Sequence, residues 1–135
     1  MCKRVFLICL CITMVLFFTA CHAALQDSQY YFYKINQIIK DEEFDTAKVD
    51  SGKIQLYDDQ QNLIREVPFD GYDKGINLLY ARKEGPAIFF VTSGAVDDEQ
   101  GILFINSSTI PVSILDGIQS LERLGGNVFQ YDTVK

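Results

Sequence analysis

Four consecutive large apolar residues, Ile88-Phe89-Phe90-Val91, stand between Gly85-Pro86 and Ser93-Gly94. A strand that alternates apolar and polar residues can leave one face to water, but an unbroken apolar run has no polar face to leave. The sequence therefore predicts a central strand, Ala87–Thr92, covered on both faces. A chain that carries it needs partner strands at both of its edges.

The neighbouring segments supply partners. Ile76–Arg82 reads as the other arm of a hairpin, turning through Lys83-Glu84-Gly85-Pro86. Ile54 and Leu56, with Leu63, Arg65 and Val67 across the Asp58–Asn62 turn, predict an earlier hairpin. Asp50-Ser51-Gly52 is turn chemistry ahead of it, and Pro68 with the run from Asp70 to Gly75 makes the loop between the two hairpins. Gly101–Ile105 gives a fifth strand after Asp97-Asp98-Glu99, which reads as a solvated loop. Val128–Tyr131 adds a short edge strand.

Helical periodicity marks both ends of this stretch. Tyr31, Ile35, Ile38 and Ile39 form an apolar stripe, with Asp27 and Ser28 as N-cap candidates and Lys34, Gln37 and Lys40 off the stripe. Asp41, Glu42 and Glu43 oppose the helix dipole and end the element near Asp41–Phe44. The aromatic cluster Tyr30–Tyr33 leaves open a strand start in the same place. Ile114, Ile118 and Leu121, joined by Leu115 and Leu124, predict a C-terminal helix capped by Gly125-Gly126. The expected fold is α+β: an antiparallel sheet of about five to six strands with an N-terminal and a C-terminal helix packed on one face. That element order is similar to small sensor-type sheets of the PAS or profilin kind. The similarity is one of order alone, because no motif of either family is present.

The first twenty residues have a different character. Lys3 and Arg4 precede Val5–Ala20, sixteen residues without a charge. As a helix this run would rise about 24 Å at 1.5 Å per residue, short of a hydrocarbon core of about 30 Å. It reads as a signal core with its positive residues on the cytoplasmic side. Phe18-Thr19-Ala20-Cys21 closes it, and the segment resembles a bacterial lipoprotein signal. The resemblance implies lipidation of Cys21, which becomes the first residue of the mature protein. Conventional cleavage after Ala23 and an uncleaved N-terminal anchor are the competing readings. The expected organisation is a signal over 1–20, a short tether over 21–26 and a single domain over 27–135. His22 in place of an aspartate resembles an outer-membrane address in an organism with two membranes.

Cysteine usage fits lipidation. Cys2, Cys9, Cys11 and Cys21 are the four cysteines, so removal of the signal leaves Cys21 alone, without a disulfide or thiolate metal partner. The 115 residues from Cys21 onward suffice for one core. They carry ten basic against eighteen acidic side chains, a formal charge of −8. Such a domain repels phosphate backbones, so no nucleic-acid partner is expected. The charge also disfavours peripheral adhesion to anionic lipid. The expected hold is therefore membrane lipid through acylated Cys21, with the domain outside the cytoplasm.

Catalytic chemistry is thinly represented. The single histidine, His22, adjoins the anchor, and Ser93-Gly94 lacks a nucleophile elbow. Asp97-Asp98-Glu99 and Asp70–Gly75 lack calcium-loop spacing. No metal or other cofactor is expected. The expected role is a non-enzymatic binding or accessory module for an unidentified protein or small molecule. A small hydrolase using carboxylates alone and a structural envelope component are the alternatives. The surface singled out for binding comprises Tyr72, in a glycine-flanked loop, with Asp97, Asp98 and Glu99.

Overall fold

The computed structural model describes residues 29–71, 75–95 and 98–133. Its compact unit runs from Tyr31 to Lys135; the other, Met1–Tyr30, has only Gln29 and Tyr30 among the described residues, both helical. The signal, the tether, the Asp27 and Ser28 caps, Cys21, Tyr72 and Asp97 all lie outside the described residues.

After helix α1, over 29–39, come β1 (Thr46–Asp50), β2 (Lys53–Tyr57), β3 (Leu63–Pro68), β4 (Tyr80–Glu84), β5 (Ala87–Ala95) and β6 (Asp98–Ile105). A four-residue helix α2 (Val112–Leu115) precedes β7 (Ser120–Gly125) and β8 (Val128–Asp132). Among the described residues the eight strands make one antiparallel sheet in the order β3-β2-β1-β4-β5-β6-β8-β7. β1 to β3 run as a meander and β4 returns beside β1, a Greek-key path.

β5 meets the expectation set by its sequence. It lies between β4 and β6, and Ala87 through Val91 are all buried. Alternate residues feed two separate apolar layers. Ile88 and Phe90 join Phe104, Ala81, Ala47, Ile54 and Leu56 beneath α1, which contributes Tyr31, Phe32, Ile35 and Ile39. Phe32 stacks on Phe90 with centroids 5.2 Å apart. On the opposite face Ala87 and Phe89 join Leu103, Ile105, Phe129, Tyr131 and Ile114.

Polar groups secure α1. Asn36, buried, exchanges two amide hydrogen bonds with Asn106 at 2.9 and 3.0 Å. At the helix C-terminus Lys83 donates to the carbonyl oxygens of Lys40 (3.0 Å) and Glu42. A cation there both satisfies unpaired carbonyls and complements the helix dipole.

The expected α+β fold of five to six strands with two terminal helices is corrected, and with it the PAS- or profilin-like order. The N-terminal helix and both hairpins are present. The C-terminal helix is not: helical backbone stops at Leu115, and Ser120–Gly125 pairs with β8 as an edge strand. Gly117 explains the break, because its φ of +85° is a left-handed conformation that cannot continue a right-handed helix. The stripe was misleading for a second reason. The register shifts between Arg123 and Gly125, so Leu124 is an extra bulged residue, and the Leu121-to-Leu124 spacing of three is compatible with a strand. Gly125-Gly126 is accordingly not a helix cap. Gly126, at φ +55°, opens the two-residue turn into β8. β8 itself is internal, between β6 and β7, and not at the edge. β1, with only Ala47 and Val49 as apolar alternation, is a strand the pattern did not predict. Asp98 and Glu99 open β6 and do not belong to a solvated loop.

The two assignments for the C-terminal segment respond oppositely to one substitution. Gly117→Ala should lower stability by about 1–2 kcal/mol, the cost of placing an L side chain in the left-handed region. Within a continuous helix the same change would raise stability by about 1 kcal/mol. The urea midpoint of the purified protein distinguishes them.

Candidate functional site

The second apolar layer gives way to polar residues toward the turn end of the β5–β6 hairpin, where Glu99 pairs with Gly94 and Tyr80 with Val91. On β4, whose residues alternate between faces, Ala81 enters the layer under α1 while Tyr80, Arg82 and Glu84 take the other face. On β6 the same alternation places Glu99 on the face of Leu103 and turns Asp98 outward, exposed. These groups meet in an open concavity of about 620 Å³. Phe89 also lines it, Ile114, Asp116, Gly117 and Ile118 form its α2 side, and Thr46, Gln61 and Thr133 complete it.

Glu99 is the organising side chain. It is 6 % exposed and is the one buried carboxylate among the described residues. The Tyr80 hydroxyl donates to its Oε1, and Arg82 Nε donates to Oε2 at 2.9 Å. Its backbone is fixed as well, since the Glu99 N–H donates to Thr133 Oγ1 at 2.8 Å and its carbonyl accepts the Thr133 N–H at 2.9 Å. A buried carboxylate without such partners would be strongly destabilising, so Arg82 and Tyr80 are conditions for Glu99 being there.

Arg82 is held from three directions. Besides Glu99 it pairs through Nη1 with Glu84, whose side chain is half exposed. Its guanidinium also lies over the Phe89 ring, 3.8 Å from the centroid, a favourable cation–π arrangement. Burial pushes the Tyr80 phenol up to about 12, reinforced by its bond to Glu99. Burial also raises the Tyr131 phenol, with the nearby Glu99 charge acting in the same direction.

Tyr131 is the outlier of the group. It is 1 % exposed and packs edge-on against Phe89 at 5.1 Å. Its hydroxyl is buried and has no hydrogen-bond partner among the described residues. The charges that act on it belong to Glu99, Arg82, Tyr80 and Glu84, all residues of the concavity. A buried hydroxyl left unpaired costs about 1–3 kcal/mol.

Of the four residues singled out from sequence for binding, the structure brings Glu99 to this site and leaves Asp98 on the other side of its strand. Tyr72 and Asp97 are outside the described residues. Sequence reasoning missed Tyr80, Arg82, Glu84, Asp116 and Tyr131. A signal did exist: in Tyr80-Ala81-Arg82-Lys83-Glu84 three polar residues alternate on a strand paired with an entirely apolar one. That register forces at least one of them toward a covered face. Asn106-Ser107-Ser108 begins the connection after β6, and the Asn106 amide is engaged by Asn36.

Two outcomes follow from this geometry. Tyr131→Phe should leave stability unchanged or raise it by about 1 kcal/mol, because it removes a desolvated hydroxyl that bonds to nothing; a thermal melt reads this. Alkaline pH should be destabilising for a defined reason. The unfolded phenols ionise near pH 10, whereas Tyr80 holds its proton to about 12 and Tyr131 is raised as well. The unfolded chain thus binds fewer protons above pH 10, and stability falls as pH rises from 10 to 12. Tyr80→Phe should flatten part of that slope, and absorbance at 295 nm should show Tyr80 and Tyr131 titrating late.

No protein-family model, no curated protein and no solved structure matches this chain.

Proposed function

We propose that the protein is a lipid-tethered module outside the cytoplasm, held to the membrane through acylated Cys21, and that it binds its ligand in the concavity around Glu99 and Arg82. The reading is non-enzymatic. One observation carries it: both oxygens of the buried carboxylate are engaged, one by Tyr80 and one by Arg82. Glu99 is thereby fixed in place, as suits a charge that orients a bound molecule. The apolar lining from Phe89, Ile114 and Ile118 beside a few fixed polar groups supports the same reading.

Attachment is supported by Lys3-Arg4, the uncharged run Val5–Ala20 and the solitary cysteine that remains after cleavage. Several acyl chains, each buried methylene contributing about 0.8 kcal/mol, give a lasting anchor without a basic surface. A formal charge of −8 beyond the signal is compatible with a membrane hold that owes nothing to lipid headgroups.

Cys21→Ser should release the protein from the membrane fraction or leave an unprocessed precursor. Fractionation followed by mass determination of the N-terminus tests this. A Cys21→Ser protein that is processed and fractionates with membranes like wild type would overturn the anchoring.

A further inference from the structure

We propose that the ligand is an organic cation, an alkyl ammonium or guanidinium group on a short apolar stem. This rests on the concavity being a ligand site and adds the chemistry of what it takes.

Charge is the first argument. The lining carries one cation, Arg82, against three carboxylates, Glu84, Glu99 and Asp116. Arg82 is already committed to Glu99 and Glu84 and stacked on Phe89. An anion entering the site would therefore face a surplus of two negative charges, and a neutral ligand would leave that surplus uncompensated. A cation is the ligand that balances it. Exposed Glu84 and Asp116 border solvent, where they can attract a cation from a distance.

The acceptor positions left on Glu99 are the second argument. A carboxylate offers about four acceptor sites, and Glu99, which lines the concavity, has one bond on each oxygen. An ammonium with three N–H donors, or a guanidinium with five, can thus bond to Glu99 without displacing Tyr80 or Arg82. The Tyr131 hydroxyl is buried and is not part of the lining. The apolar side of the concavity, Phe89 with Ile114 and Ile118, fits the methylenes that carry such a group. Free diamines and the lysine or arginine side chains of a peptide share this chemistry.

Calorimetric titration of the full chain in detergent micelles tests the proposal. The probes are cadaverine, N-acetyl-lysine methylamide, maltotriose and citrate. Both amines should bind, and binding should weaken as salt rises from about 50 to about 500 mM. Asp116→Asn and Glu84→Gln, at exposed positions, should each weaken amine binding about fivefold with melting temperatures unchanged. Tyr131→Phe, which removes a buried hydroxyl outside the lining, should leave amine binding unchanged. Tighter binding of the lysine derivative than of cadaverine supports a peptide source, and the reverse supports a free amine. Binding of maltotriose or citrate in this concavity without amine binding overturns the cation and leaves the ligand site standing. Amine binding that is insensitive to both Asp116→Asn and Glu84→Gln also overturns this site as the cation's place. If none of the four probes binds, both the cation and the ligand site fall.

Discussion

A strand that must be dry on both faces is the constraint from which the rest of this structure follows. Ile88 to Val91 cannot lie at an edge or under one layer only, so β4 and β6 occupy its two sides and two separate apolar layers cover it. One layer is large, built under α1 from strands across the sheet, and closed at its polar margins by Lys83 and the Asn36–Asn106 pair. The other is smaller. It depends on α2 and on β8 being drawn in beside β6, with β7 as the outer strand.

The site arises where that smaller layer runs out. Strand alternation continues past the last apolar position, so Tyr80, Arg82 and Glu99 are directed to the same face as Phe89 and Tyr131 with too little apolar cover above them. The ionic group forms because each member makes another tolerable. Arg82 and Tyr80 compensate the desolvation of Glu99, while Phe89 and the two carboxylates hold the guanidinium. Among the described residues Tyr131 alone lacks compensation. Natural cores rarely keep a buried hydroxyl without a partner, and Tyr131 is the exception in this layer.

How much was legible in the sequence varied with the range of the forces involved. β5, the hairpin through Gly85-Pro86, the β2–β3 hairpin and α1 depend on local pattern and turn chemistry, and each was readable. Phe32 and Asn36 were not part of the expected stripe, because their burial depends on Phe90 and Asn106 far along the chain. The C-terminal segment misled for the opposite reason. Ile118, Leu121 and Leu124 fit a helical period, and only the left-handed Gly117 together with the bulge at Leu124 reconciles them with a strand. Such bulges are invisible until a partner strand fixes the register. Of the site, Glu99 was singled out within an acidic run, but its burial depends on Arg82 and Tyr80, residues 17 and 19 positions away.

By itself the sequence determined a central strand, its nearest hairpins, an acidic domain without disulfide chemistry and an N-terminal segment that resembles a lipid-anchor signal. Those features rest on composition and on contacts a few residues apart, which a linear pattern records. The tertiary structure decided that there are eight strands among the described residues, that the last third is mostly sheet, and that Tyr80, Arg82, Glu99 and Tyr131 share one face. The physical reason is register. Which face a strand residue takes, and whose charge it meets there, is fixed by pairing with distant strands.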